Sequence, residues 1–245
     1  MALGKFQGCF TGRGAAVNPC LILTRNNLEL TKKAVESVYA QRLSHVEPWI
    51  VENGSNDGTR EWAIENGIIL HAAPYNLGVS VGWNCGLSTL FDKWKREHVL
   101  CIGNDTILPE WFYQELLSYD VPFVTGIAVD DMEAIRRPAQ RMPLTPNPDY
   151  SAFLIKKEAW DKIGPFDERL VSYCGDCDHH LRGHRLGIGM WKANVPYFHL
   201  RSSTLNNASP RDRRVIQAQA DADRARFMAM YGVIPGEPGY EELFK

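Results

Sequence analysis

Five short clusters hold most of the side chains in this 245-residue sequence that could do chemistry. "VENGSNDGT" sets Glu52, Asn53 and Asp57 among two glycines. A loop of that kind can hydrogen-bond a base and ribose, or can be a strand-to-helix turn with Thr59 as the helix cap. "NLGVSVGWNCG" spaces Asn76, Gly78, Gly82, Asn84 and Gly86 closely. Its glycines let a backbone approach a diphosphate, or let a helix pack tightly, and it lacks both GxGxxG and GxxxxGK[ST]. "GNDT" puts Asn104 and Asp105 after an apolar run. A carboxylate there can hold a hard divalent cation against phosphate oxygens, or belong to an ordinary Asn-Asp turn. "PYFHLRSS" leaves His199 at the end of another apolar run, as a ligand or as a half-buried histidine.

The fifth cluster, "SYCGDCDHHLRGHRLG" from Ser172, holds Cys174, Asp176, Cys177, Asp178 and three histidines. A structural zinc site normally shows a second ligand pair at matching spacing, and no second CxxC exists here. A redox CxxC should follow an early strand, whereas this one lies late in the chain. The cysteines are therefore read as incidental. Asp176 and Asp178 remain, as carboxylates for proton transfer or as first-turn residues favoured by a helix dipole.

These clusters fall at the ends of elements. "CLILT", "EPWIVENG", "IILHAAP" and "HVLCIGNDT" read as strands, and "LELTKKAVESVYAQ", "TREWAIENG" and "SVGWNCGLSTLFDKWKRE" as the helices between them. The alternation predicts βαβ units and a mainly parallel sheet, whose ligands gather beyond the carboxyl ends of the strands. Residues 130–150 carry four prolines and little periodicity, and read as a flexible active-site loop. "SAFLIKKEAWDKIG" and "GIGMWKANVPYFHL" restore strand and helix. "PRDRRVIQAQADADRARFMAMYG" predicts a surface-packed helix, with Val215, Ala218, Ala222, Ala225, Phe227 and Met228 as its apolar residues.

The composition is that of a globular domain: 44% hydrophobic, 23% charged, and a formal net charge of -2. That charge provides no basic field for a nucleic-acid backbone. No apolar run reaches the ~18 residues of a spanning helix, and the N-terminus lacks the apolar core of a signal peptide. A soluble cytoplasmic protein follows as the expectation, with its six cysteines (Cys9, Cys20, Cys85, Cys101, Cys174, Cys177) reduced.

Taken in order along the chain, the segments resemble the family 2 glycosyltransferases, nucleotide-sugar enzymes of the GT-A fold. "LILTRNN" is similar to the family's "VxTYNR/N" opening, "VENGSNDGT" to its "VDNxSxDGT" loop and "NLGVSVGWNCG" to its "NxGxxxGxNxG". "IGNDT" occupies the place of the DxD metal motif, close to the "NND" of rhamnosyltransferase-like members. "GPFDERLVSYCGDCDHHLR" resembles "GxFDExxFxYxEDxDxxxR", and "GIGMWKANVPYFHLRSS" the closing strand that delivers a histidine. The likeness runs from Cys20 to Tyr231.

The resemblance implies one GT-A domain over residues 1–245. Residues 18–129 would form the nucleotide-binding half, and residues 151–232 the acceptor and catalytic half with the C-terminal helix. Thr24, Asn26, Glu52, Asp57, Asn76, Gly78, Asn84, Asn104 and Asp105 would bind the donor, a UDP-, dTDP- or GDP-linked sugar. Asp105 and His199 would hold Mn²⁺ or Mg²⁺, and Asp176 would be the general base of an inverting transfer to a hydroxyl on a glycan, glycolipid or protein. Asp178 and Trp191 would serve the acceptor. Three positions depart from the pattern: Gly103 replaces the first Asp of DxD, Gly175 the Glu before Asp176, and Glu52 the usual Asp. The competing expectations are a non-catalytic protein with this fold and a transferase acting on modified DNA, which the slight acidity disfavours.

Overall fold

The structure is a computed structural model describing residues 17–200 and 210–245; Cys9 lies outside them. In chain order the elements are β1 Asn18–Thr24, α1 Leu28–Tyr39, β2 Val46–Asn53, α2 Thr59–Glu65, β3 Ile69–Ala73, α3 Val79–Ser88, β4 His98–Gly103 and β5 Thr106–Ile107. Then follow α4 Phe112–Leu117, β6 Phe123–Val129, β7 Ala152–Lys156, α5 Lys157–Ile163, α6 Gly175–Arg185, β8 Met190–His199 and α7 Pro210–Tyr231. The strands form one sheet in the order β3-β2-β1-β4-β7-β6-β8-β5. Pairings β1–β2, β1–β4, β2–β3 and β6–β8 are parallel. β7 runs antiparallel between β4 and β6, and the short β5 runs antiparallel to β8. The sheet is therefore mixed and mainly parallel.

Central strands are apolar on both faces because helices cover both. Along β1, Cys20 and Ile22 face one core with Ala34, Val38, Phe112 and Leu116, while Leu21 faces the other with Trp83, Leu87, Phe91 and Trp160. The strand's two-residue alternation thus feeds two cores, giving a helix–sheet–helix sandwich. The expected helix after Ser80 is α3 followed by a wide π turn over Thr89–Lys93, which ends it earlier than its apolar pattern suggested.

Two expectations are corrected. Gly58, not Thr59, holds the cap position of α2, and the Asp57 carboxylate accepts the Thr59 amide at 3.2 Å. Along α7, Val215, Ala218, Ala222, Ala225 and Met228 are exposed, and the helix docks through Ala220, Asp223 and Phe227. Spacing of three and four residues selects that stripe, and a buried aspartate in it hid the stripe from a hydrophobicity reading. No helix among the described residues is long and apolar enough to cross a membrane.

After β2 the chain turns at Gly54, whose φ is +75° and whose missing Cβ would sit 2.4 Å from the Tyr75 carbonyl carbon and 2.6 Å from the Asn76 nitrogen. Backbone meets backbone there, so neither side can yield. Gly54→Ala is expected to lower stability by about 2–4 kcal/mol, seen as a reduced urea midpoint with unchanged slope. An unchanged midpoint would contradict the packing.

Candidate active site

A cleft of about 490 Å³ opens at the carboxyl ends of β1, β2 and β4. Thr24, Arg25, Asn53, Asn104 and Asp105 line it from these strand ends and Asn76 from the loop after β3, and Tyr150, Ser172, Tyr173, His199 and Ile216 close it from the second half. Next to it, about 240 Å³ more is enclosed by Asp149, Phe166, Cys174, Gly175 and Asp176. The two recesses share Val79, Trp83, Tyr150, Ser151, Ser172 and Tyr173 as a common wall.

The floor of the cleft is a buried polar network. The Asn104 amide donates to the Asn26 carbonyl at 2.7 Å and to Thr31 Oγ1 at 3.0 Å, and Thr31 Oγ1 meets Thr24 Oγ1 at 3.0 Å. The Asn26 side-chain oxygen accepts the Asn56 amide at 2.9 Å, and the Asn26 backbone N–H donates to Ser55 Oγ at 2.8 Å. The loops after β1, β2 and β4 are thereby locked into one surface. Asn53, noted in its loop but not among the donor residues the family resemblance implies, bridges to the next loop: it donates to the Gly78 carbonyl at 2.9 Å and accepts the Leu77 amide at 2.8 Å.

Several expected binding residues instead shape that surface from behind. Glu52 is fully buried, receives Arg60 Nε and Nη2 at 2.8 and 2.6 Å, and accepts the Ser55 amide. Asp57 accepts the Leu28 amide at 3.0 Å as well as Thr59, so one carboxylate caps α1 and α2 together. The Thr59 hydroxyl, donating to it at 2.6 Å, and those amides hold its carboxyl below the usual range against the opposing effect of burial, which is the larger single influence. Asn84 clamps Phe166 from both sides, donating to its carbonyl at 2.9 Å and accepting its amide at 2.8 Å. Gly78 abuts Val171 so closely that a Cβ would lie 2.4 Å from it. Asp178 is buried between Arg182 Nε at 2.8 Å and the Tyr231 hydroxyl at 2.6 Å. Trp191 pairs in register with Val124 in the sheet. None of these six lines either recess among the described residues.

Asp105 and His199 do come together. Antiparallel pairing of β5 with β8 sets Thr106 opposite His199, and the Leu200 amide donates to the Asp105 carbonyl at 3.0 Å. Asp105 Oδ1 and His199 Nε2 then lie 3.4 Å apart, both partly open to the cleft. Among the described residues no three His, Cys, Asp or Glu side chains converge as a self-sufficient metal site. A carboxylate with one imidazole fits a hard cation that fills its remaining positions with water and substrate oxygens. Gly103 belongs to this geometry, because a Cβ there would lie 2.8 Å from Asp105 Oδ1. Where a second carboxylate was expected, the first occupies the space.

Asp176 stands in the first turn of α6, reaching solvent inside the smaller recess. Enclosure by the recess pushes its carboxyl above the usual range, the Cys177 amide at 2.8 Å opposes this, and repulsion from Asp149 adds to it. Gly175 explains the missing glutamate: its Cβ would sit 2.7 Å from Ser80 Oγ, which donates to the Leu170 carbonyl. No side chain fits at Gly175 while α6 packs on Ser80. Cys174 and Cys177 are free thiols. Burial raises both, Cys174 to about 11, so neither is a thiolate at neutral pH.

Three contributors escaped sequence reasoning. Asp149 lay in a proline-rich stretch without periodicity. Tyr150, in the shared wall, is fixed by its hydroxyl contact with His179 Nδ1 at 2.9 Å, and that imidazole stacks on Phe166 at 4.5 Å. Asp223 stands among the charged residues of α7, where nothing in the sequence marks it as buried. It is fully buried and accepts the amides of Val171 at 3.1 Å, Ser172 at 2.8 Å and Tyr173 at 2.9 Å. It therefore holds the loop that carries the common wall. Asp223→Ala strands these amides, and an expected loss of about 3 kcal/mol should appear in urea unfolding. A loss under about 0.5 kcal/mol, the usual limit for a surface position, would contradict the clamp.

The sequence pattern of glycosyl transferase family 2 matches residues 20–164, more than half of the chain. No curated relative matches it. Among solved structures, a mannosyltransferase from Pyrobaculum calidifontis in complex with GDP-Man and Mn²⁺ is 18% identical with a TM-score of 0.56, covering 92% of this chain and 67% of that one. Glucosyl-3-phosphoglycerate synthase from Mycobacterium tuberculosis, in complex with Mg²⁺ and UDP, is 15% identical with a TM-score of 0.61, covering 90% and 81%. S. aureus TarS 1–349 in complex with UDP is 13% identical with a TM-score of 0.55, covering 94% and 70%. At such identities the likeness is one of fold, and it coincides with the family match: the chain belongs to glycosyl transferase family 2 and is a glycosyltransferase of the GT-A fold.

Proposed function

We propose that the protein moves a sugar from a nucleoside-diphosphate sugar (UDP-, dTDP- or GDP-linked) to an acceptor hydroxyl, in one inverting displacement, as a rhamnosyltransferase-like member of its family. The observation that carries the reading is the pairing of two adjoining recesses with opposite electrostatic demands. One holds Asp105 against His199, and the other holds Asp176 beside Asp149 with no basic side chain among its described lining residues. The solved relatives complexed with nucleotides and Mn²⁺ or Mg²⁺ support a donor and cation of the same kind here.

The floor formed by Thr24, Asn53, Asn76 and Asn104 receives the nucleotide, with residues 18–129 as the donor half. Asp105 and His199 would hold Mn²⁺ or Mg²⁺. Held there, such a cation would supply positive charge against the negative charge that develops on the departing diphosphate. Across the shared wall, Asp176 takes the proton of the incoming hydroxyl, which is a weak nucleophile until that proton leaves. With the base on the side away from the leaving group, attack inverts the anomeric carbon. Residues 151–232 form the acceptor half. The 130–150 loop joins the two halves and delivers Asp149 and Tyr150 to the recess.

Asp176→Asn tests the assignment. Transfer should fall at least about 100-fold while nucleoside-diphosphate binding persists; transfer retained by the variant would refute the role. In the wild type, the acid limb of the rate profile should lie above the usual carboxylate range of about 4, because Asp176 must be ionised to act. The linkage sign follows from the same shift. A carboxyl whose folded pKa is raised stabilises the fold only while protonated, and that contribution is lost as pH rises through its folded pKa. Because Asp176 reaches solvent, screening leaves this contribution small, and the thermal midpoint of Asp176→Asn should lie at or slightly above the wild type at neutral pH and converge with it in acid. A variant clearly less stable at neutral pH would contradict the shift.

A further inference from the structure

We infer that the acceptor is an uncharged saccharide held in the smaller recess, and that Asp149 acts with Asp176 to exclude anionic acceptors. The inference rests on the function proposed above and specifies its second substrate.

Among the described residues lining the recess, the only charged side chains are Asp149 and Asp176, and there is no Lys, Arg or His. Neither nearby guanidinium lines the recess. Arg182 serves Asp178 and the carbonyls of Ile163 and Pro165, and Arg224 lies 5.8 Å over the Tyr173 ring from exposed α7. Asp149 is held in place by its backbone and side chain, since its amide donates to Thr125 Oγ1 at 3.0 Å and its Oδ1 accepts the Ser151 amide at 2.9 Å. A phosphate or carboxylate entering this space would meet two carboxylates and, among the described residues lining it, no counter-charge, so the nearest fixed charges repel it.

The remaining walls are Trp83, Tyr150, Phe166 and Tyr173, with the hydroxyls of Ser151 and Ser172 between them. Rigid aromatic faces beside a few polar groups suit a ring with one apolar face and a rim of hydroxyls. At about 240 Å³ the recess is smaller than the roughly 300–1,000 Å³ that encloses a drug-sized ligand, a size for one sugar ring.

Matched acceptor pairs test the inference: methyl glucoside against glucuronic acid, and galactose against galactose 6-phosphate. Release of nucleoside diphosphate would be followed for UDP-, dTDP- and GDP-sugars with Mn²⁺, alongside calorimetry of UDP and GDP binding to the same preparation. The neutral member of a pair should accelerate release at least 10-fold more than its anionic partner. Asp149→Asn, which keeps an acceptor oxygen for the Ser151 amide, should narrow that ratio at least 3-fold. If nucleotide binds and the anionic member is used equally or better, or if no neutral saccharide is used, this inference is overturned alone. If neither nucleotide binds with Mn²⁺, the function beneath it falls as well.

Discussion

Buried polar groups at the carboxyl edge of the sheet must be satisfied, and the rest of the site depends on how this is done. Where β1 and β4 stop, their loops leave amides and carbonyls that neither the sheet nor water can serve. The Asn104 side chain resolves this by tying the β1 loop to α1 through Asn26 and Thr31. Asp57 repeats the solution for two helix starts, and Glu52 with Arg60 supports the turn beneath. A cleft floor made this way is rigid before any ligand arrives, as a preorganised transition-state site requires. It also explains why so many polar residues of the nucleotide half never reach the cleft: they hold in place those that do.

The two halves are joined by polar devices of the same kind. Asn84 of α3 grips Phe166, and Asp223 of α7 grips the loop from Val171 to Tyr173. Both lead to the wall that separates Asp105 and His199 from Asp176. Small residues set the spacing, with Gly103 leaving room for the Asp105 carboxylate and Gly175 letting α6 meet Ser80. The departures from the family pattern at these glycines are steric consequences of how this chain packs.

Much of this was legible in the sequence. Continuous apolar runs such as "CLILT" and "HVLCIG" marked the central strands, and polar clusters at their ends located the cleft, because a parallel sheet exposes loop residues at its carboxyl edge. Asp105, His199 and Asp176 were placed at the two recesses by order along the chain. Function within the clusters was less legible: residue type does not reveal which of Glu52, Asp57 and Asn53 faces outward, since that depends on where Arg60 and the helix termini fall. Asp149 could not be found by periodicity in a loop that has none. Asp223 was hidden by its neighbours, because a carboxylate in a charged helix looks solvated until the amides it accepts are brought to it from Val171, some fifty positions earlier.

The central claim is that Asp105 and His199 make nucleotide binding cation-dependent. Calorimetric titration of UDP and GDP into the wild type and Asp105→Asn, each with and without Mn²⁺, tests it directly. The account predicts that at least one nucleotide binds the wild type at least about 10-fold more tightly with Mn²⁺, a difference of about 1.4 kcal/mol that Asp105→Asn removes. Binding that is equally tight without Mn²⁺, or a Mn²⁺ effect that survives in Asp105→Asn, would contradict it.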